Sequence, residues 1–299
     1  MYTSFSDLLA DGKEQELPLW QLIQADDCRE GNISTEESWK RMAAMYAAMK
    51  ASDSSYDGKQ KSRSGLVGGE AEKVKRAREK GNLLVGDFLG RVMERALRVA
   101  ENNACMKVIV AAPTAGSCGV LPAVLISLEE KYLGEGRNPE DLQHSLVESL
   151  YVAGGFGGII AARASLAGAE CGCQAEIGSA SSMAAGAAVT LAGGSPEEAV
   201  HAAALAMKSL MGLVCDPVAG LVEVPCVKRN VIGAVNALTA ADMALSGIRS
   251  KIPADQVMDA MRSVGREMNE DLRETGLGGV AATETGKAVR KRMTKPGLQ

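Results

Sequence analysis

Between Ile177 and Pro196 the chain carries no charged side chain, and Gly, Ala and Ser supply most of the run. Such a stretch offers little to water, so it is expected to be a buried helix whose small side chains let neighbouring helices approach closely. The same tendency runs through the whole chain, which has 33 glycines and is 46% hydrophobic, enough for a substantial core.

Helix punctuation is frequent. Ser34 and Glu37 have capping-box spacing ahead of Trp39, Met42, Tyr46 and Met49. Leu84, Phe88, Val92, Met93 and Leu97 repeat the helical stripe, with Asn102 and Asn103 as its stop. Asn138 and Pro139 open a third helix, lined by Leu142, Leu146 and Leu150 and expected to end near Gly154. Ser195, Pro196 and Glu198 start a fourth, and Pro253 a fifth through Val257, Met261, Val264 and Met268. Only residues 107–112, 212–215 and 221–224 resemble strands, and buried helices contain equally short apolar runs. The expected fold is mainly α, a compact bundle of closely packed Ala/Gly-rich helices with glycine-rich turns. A single domain over residues 1–299 is expected, with 1–55 as a helical N-terminal arm and 51–69 as a polar loop.

Several classes of function are disfavoured. Lys and Arg total 33 against 37 Asp and Glu, a net charge of −4 with no basic block, which gives nucleic acid little to grip. Aromatic residues are only 3%, too few for stacking platforms, so small polar ligands fit better. Residues 108–128 are uncharged and long enough to span a bilayer, but Pro113, Gly116, Ser117, Gly119 and Pro122 interrupt them, which argues against a membrane segment. The first residues, MYTSFSDLLADG, carry no secretion signal, and the expected location is the cytoplasm.

Seven cysteines in so long a chain do not suggest a disulfide scaffold. Five lie between positions 118 and 226 in turns shaped by Gly or Pro: Cys118, Cys171, Cys173, Cys215 and Cys226. Their spacing matches neither paired zinc knuckles nor a compact ferredoxin run. Two readings stand on these grounds alone, inert buried thiols acting as small hydrophobes and thiolates aimed at a shared metal.

The segments KSRSGLVGG (61–69), APTAGSCGVLPAV (112–124), ECGCQAEIGSASSMAAGA (170–187) and CDPVAGLVEVPCVKRN (215–230) resemble the α subunit of iron-sulfur L-serine dehydratase. The last is the most specific, and the resemblance covers nearly the whole chain. It implies a [4Fe-4S] cluster held by Cys173, Cys215 and Cys226, without pyridoxal phosphate. Cys171 lies outside that set. Single-chain members of the family have valine near its position and lend the cluster a C-terminal cysteine; this chain ends in MTKPGLQ, so the fourth iron position is expected to stay open to water or substrate. The resemblance also implies a separate β subunit, with an oligomeric assembly expected.

Dehydrating serine means removing a weakly acidic α-proton and expelling hydroxide, and an open iron would assist the second step as a Lewis acid. The aminoacrylate released would tautomerise and hydrolyse to pyruvate and ammonia. His144 and His201, the only histidines, fall in expected helices where a structural role is the simpler reading. The resemblance implies a Ser-Ser-His motif in the β portion, which makes the partner a source for the base. Lys61, Arg63 and Ser64, then Thr114, Gly116 and Ser117, and finally Asn230 are the candidates for binding the amino acid, since they offer cations, hydroxyls and turn amides to a carboxylate. Solvated loop and turn-capping roles account for the same residues. Lys228 and Arg229 follow Cys226 closely, and Arg229 also suits an ordinary ion pair. Two alternatives remain at this stage, an L-cysteine desulfidase-type lyase and a non-catalytic helical scaffold. The glycine run at 154–158 lacks a preceding strand and is weak evidence for a phosphate loop.

Overall fold

The computed structural model describes residues 1–294, and over them the chain is a stack of helices with no strand beyond one isolated bridge, Cys215 to Arg273. The final residues of the MTKPGLQ tail lie outside the described residues. The elements are α1 Phe5–Gln15, α2 Leu19–Gly31, α3 Thr35–Ser54, α4 Ala71–Glu79, α5 Gly86–Ala104, α6 Val120–Gly134, α7 Pro139–Arg163, α8 Gly168–Cys171, α9 Ser179–Leu191, α10 Pro196–Leu210, α11 Cys226–Leu245, α12 Ala254–Glu267 and α13 Glu284–Met293.

The small-residue run forms α9 at the centre, packed by α6, α7, α10 and α11. Every residue of α9 except Thr190 is buried. Its hydroxyls are satisfied across the interfaces: Ser181 Oγ donates to the Gly233 carbonyl at 2.9 Å and Ser182 Oγ to that of Ala203 at 3.0 Å. Glycine sets the helix separation here. A Cβ on Gly186 would run into the Phe156 ring, and one on Gly233 would lie 2.9 Å from Ile177 and Val120.

The caps follow the sequence closely. Ser195 and Glu198 form a reciprocal box, and the Asn138 side chain accepts the amides of Glu140 and Asp141. Ser34 makes half of its expected box, accepting the Glu37 amide. Two boundaries differ. Leu84 stands fully exposed ahead of α5, because the chain turns at Gly86, where φ is 74°. Helix α7 continues past Gly154 to Arg163, since its glycines admit neighbours: a Cβ on Gly157 would sit 3.1 Å from Met183, and Gly155 faces Ile23. Helix α7 is long and apolar enough to cross a membrane, and 61% of its most apolar window is buried inside the protein. The uncharged run 108–128 is divided instead between an irregular segment, a 3-10 turn at Ala115–Ser117 and the start of α6.

The N-terminal helices are tied to the body through Asp255 on α12. Its carboxylate accepts the Phe5 amide at 2.8 Å and the Ser6 amide and hydroxyl at 3.1 and 2.6 Å, satisfying the orphan donors of the first turn of α1. Burial opposes ionisation there, but these bonds and Arg163 hold the carboxyl below its ordinary value. Asp255→Ala is expected to cost about 1–3 kcal/mol in urea unfolding. Because the native carboxyl titrates low, that difference should be complete above about pH 4 and shrink as pH falls through the native value.

Gly186→Ala tests the helix spacing. Alanine gains about 1 kcal/mol of helix propensity, whereas overpacking costs about 1–3 kcal/mol. The ring of Phe156 leaves no room, so the melting temperature should fall, while Gly134→Ala, with open space around it, should leave the temperature unchanged or raise it.

Candidate active site

Three buried thiols come from three segments. Cys173 follows Gly172, whose φ of 72° turns α8 into the π-helical turn Gln174–Gly178 at the head of α9. A side chain at Gly172 would strike Met268 and the Leu213 carbonyl. Cys215 sits in an extended stretch, its amide donating to the Leu272 carbonyl at 2.8 Å and its carbonyl accepting the Glu274 amide at 2.7 Å. Cys226 is the first residue of α11, after the cis bond between Val224 and Pro225.

Arg229, one turn along α11, ties the segments together. Its guanidinium donates to the Val214 carbonyl at 2.6 Å, to Asp216 at 2.9 Å and to the Cys173 sulfur. Asp216, itself 2% exposed, uses its other oxygen to accept the Val280 amide at 2.7 Å. The ordinary ion pair that suited Arg229 in the sequence is therefore present, its partner is Asp216, and it positions the Cys-Asp-Pro turn.

Burial pushes the Cys173 thiol up to about 11, against the pull of Arg229. Burial followed by the charges of Cys173 and Glu176 lifts Cys226 to about 12. Cys215 is driven upward further by burial and then by Cys173, Glu176, Glu274 and Cys226. The three thiols thus stand within electrostatic reach of one another, and their combined negative charge is unfavourable without a cation to share it. Among the described residues no three His, Cys, Asp or Glu side chains converge as they would around a single metal ion.

The other cysteines lie apart. Cys171 packs on Gly265 of α12, and burial and Glu170 raise its thiol. Cys118 is enclosed near the Val99 carbonyl, and burial lifts it to about 12. Cys28 and Cys105 are half-buried.

The polar candidates fall into two groups around the thiols. Thr114 and Ser117 bracket the 3-10 turn, their hydroxyls 3.2 Å apart, and Ser117 is 0% exposed. Asn230 staples this turn to α11: its side chain accepts the Gly119 amide at 2.8 Å and donates to the carbonyls of Gly116 and Cys226 at 2.8 and 3.0 Å. All its polar atoms are thereby engaged. The second group is the 61–69 loop. Ser62 and Ser64 both donate to Glu223, the former at 2.8 Å, which fastens the loop to the segment leading into Cys226. Exposed Lys61 donates to the Gly68 carbonyl, and Arg63 is exposed. Lys228 pairs with Glu70.

Sequence reasoning missed two carboxylates, Glu176 and Glu223. Glu176 accepts a hydrogen bond from Thr114 Oγ1 at 2.8 Å and lies 3.8 Å from the Cys215 sulfur. Burial raises its carboxyl above the ordinary value. Each had a signal: Glu176 is the only charge in residues 171–196, and Glu223 the only one between Asp216 and Lys228. Neither histidine faces the thiols. His144 stacks on Trp39 with ring centroids 4.3 Å apart, and His201 is held low by burial and Arg249.

These features define a helical protein whose three buried thiols are set in turns beside the Glu176 carboxylate. Residues 14–281 match the family described as serine dehydratase alpha chain. The chain is 43% identical over 293 residues to the probable L-serine dehydratase alpha chain of Bacillus subtilis, covering 98% of this chain and 95% of that one. It is 41% identical over 285 residues to the L-serine dehydratase alpha chain of Peptoniphilus asaccharolyticus, 95% of each. An L-serine dehydratase of Escherichia coli is 44% identical over 187 residues, which are 62% of this chain but 40% of that longer protein. The chain belongs to the serine dehydratase alpha chain family.

Glu223→Ala would leave the Ser62 and Ser64 hydroxyls without their buried acceptor. Limited proteolysis should then cut within residues 61–69 at least about 5-fold faster than in wild type, the equivalent of about 1 kcal/mol of lost hydrogen bonding.

Proposed function

We propose that the chain is the catalytic α subunit of an L-serine ammonia-lyase, which converts L-serine to pyruvate and ammonia with a [4Fe-4S] cluster bound by Cys173, Cys215 and Cys226. The observation that carries this reading is the placement of three buried thiols on separate segments fastened by one guanidinium. The donor set fits. Thiols raised this far become thiolates only when bound to a strong cation, and a multi-iron cluster takes each thiolate at a separate iron, so its ligands need not converge on one point. When bound, the cluster would supply an open iron as Lewis acid for the departing hydroxyl.

The chain's own residues do the rest. Arg229 holds the Cys173 and Cys215 segments in register and places a positive charge beside the sulfurs. The turn from Thr114 through Gly116 to Ser117, held in place by Asn230, presents its amides to the substrate, while the Thr114 hydroxyl orients Glu176. Lys61 and Arg63 supply the cationic side for the substrate carboxylate, from a loop that Ser64 helps to anchor on Glu223. The α-proton acceptor comes from a β subunit, since neither histidine faces the thiols. The name alpha chain borne by the relatives supports such a partner. We further read residues 1–299 as one catalytic domain working in the cytoplasm, with 1–55 as an arm that Asp255 locks to the body.

The test is anaerobic reconstitution of the α and β chains with iron and sulfide. Cys173→Ala, Cys215→Ala and Cys226→Ala should each lose bound iron and lower serine turnover at least about 100-fold, beyond the usual cost of removing a mere supporting contact to a metal ligand. Cys28→Ala and Cys105→Ala should retain both. Full activity in any of the first three removes that ligand, and release of sulfide from cysteine in preference to pyruvate from serine would point to a desulfidase instead.

A further inference from the structure

Glu176 is a half-buried carboxylate with no ion-pair partner within 4.0 Å among the described residues. Thr114 Oγ1 donates to its Oε1, which fixes the rotamer. Two glycines let the backbone approach its oxygens without a side chain to cover them: a Cβ on Gly116 would crowd Oε1 at 3.1 Å, and one on Gly168 would crowd Oε2 at 3.0 Å and the Cys215 sulfur at 2.8 Å. Glu274 faces it with a charge of its own sign, and the Cys215 thiol donates to Oε2 at 3.8 Å, a donor that is lost once that sulfur binds iron as thiolate. The guanidinium of Arg229, whose charge also reaches it, is already committed to the Val214 carbonyl, Asp216 and Cys173. A carboxylate in such a place is costly unless a cation joins it, and no side chain among the described residues forms an ion pair with it.

We propose that Glu176 receives the α-ammonium group of the substrate, and so selects α-amino acids over hydroxy acids that lack the amine. The inference rests on the lyase reading above and deepens it. An ammonium received by Glu176 would supply the missing cation while directing the β-carbon toward the thiol side, where Cys215 lies 3.8 Å from Oε2. Thr114 then acts as a positioning residue that sets the carboxylate plane.

Equilibrium binding and steady-state kinetics on the reconstituted αβ enzyme test this, using two probes. L-alanine keeps the ammonium and lacks the hydroxyl; 3-hydroxypropionate keeps the hydroxyl and lacks the ammonium. In Glu176→Gln, the KM for L-serine and the dissociation constant of L-alanine should both rise about 10- to 100-fold, the scale of one charged hydrogen bond. Binding of 3-hydroxypropionate should change by less than about 2-fold on the same scale, with iron and sulfide content unchanged. Glu176→Asp should recover part of the L-alanine affinity. Equal weakening of both probes, or a fall in kcat with L-alanine binding intact, overturns the proposal. Should Glu176→Gln fail to hold iron, the Glu176→Asp comparison of the two probes decides the matter alone. If wild type binds L-alanine through Glu176 yet does not turn over serine, the lyase reading fails while the ammonium site stands.

Discussion

The Arg229 guanidinium is the interaction on which the site depends. Cys173, Cys215 and Cys226 lie on segments with no regular hydrogen-bonding pattern in common, and Arg229 bonds to the first sulfur, flanks the second at Val214 and Asp216, and shares a helix with the third. Asp216 passes the constraint on to Val280. A half-buried cation with several acceptors is most stable when all of them are present, so the arrangement favours one geometry. Lysine could not replace it, because a single ammonium lacks the planar fork that reaches a carbonyl, a carboxylate and a sulfur together.

The surrounding bundle provides the rigidity that this tie requires. Helix α9 starts at the Cys173 turn and runs through the centre, where small residues bring α7, α10 and α11 close enough for side-chain hydroxyls to bond neighbouring carbonyls. Motion of the Cys173 turn would therefore disturb the densest part of the core. Cys226, at the first turn of α11, is anchored similarly by Asn230, which joins α11 to the 3-10 turn bearing Thr114 and Ser117.

Much of this was legible in the sequence, because helix caps and small-residue runs are local signals. Ser195 with Glu198, Asn138 with Pro139, and the uncharged run after Ile177 all lie where their chemistry placed them. The extension of α7 beyond Gly154 was not legible, since glycine ends a helix unless a distant neighbour needs the space, and here Ile23 and Met183 do. Spacing alone could not distinguish the gathered thiols from the solitary Cys118 and Cys171; their grouping depends on contacts between residues far apart in the chain. Glu176 and Glu223 were overlooked for the same reason, as each is a lone acid until folding sets it beside Thr114 or Ser62 and Ser64.

The central claim is that three side chains of this chain hold a cluster while one iron remains for substrate. Mössbauer spectroscopy of the anaerobic αβ enzyme, loaded with isotopically enriched iron, tests it most directly. The account predicts one iron distinct from the other three and shifted by L-serine. Four equivalent irons indifferent to L-serine, or a fully folded protein that takes up no iron, would contradict it.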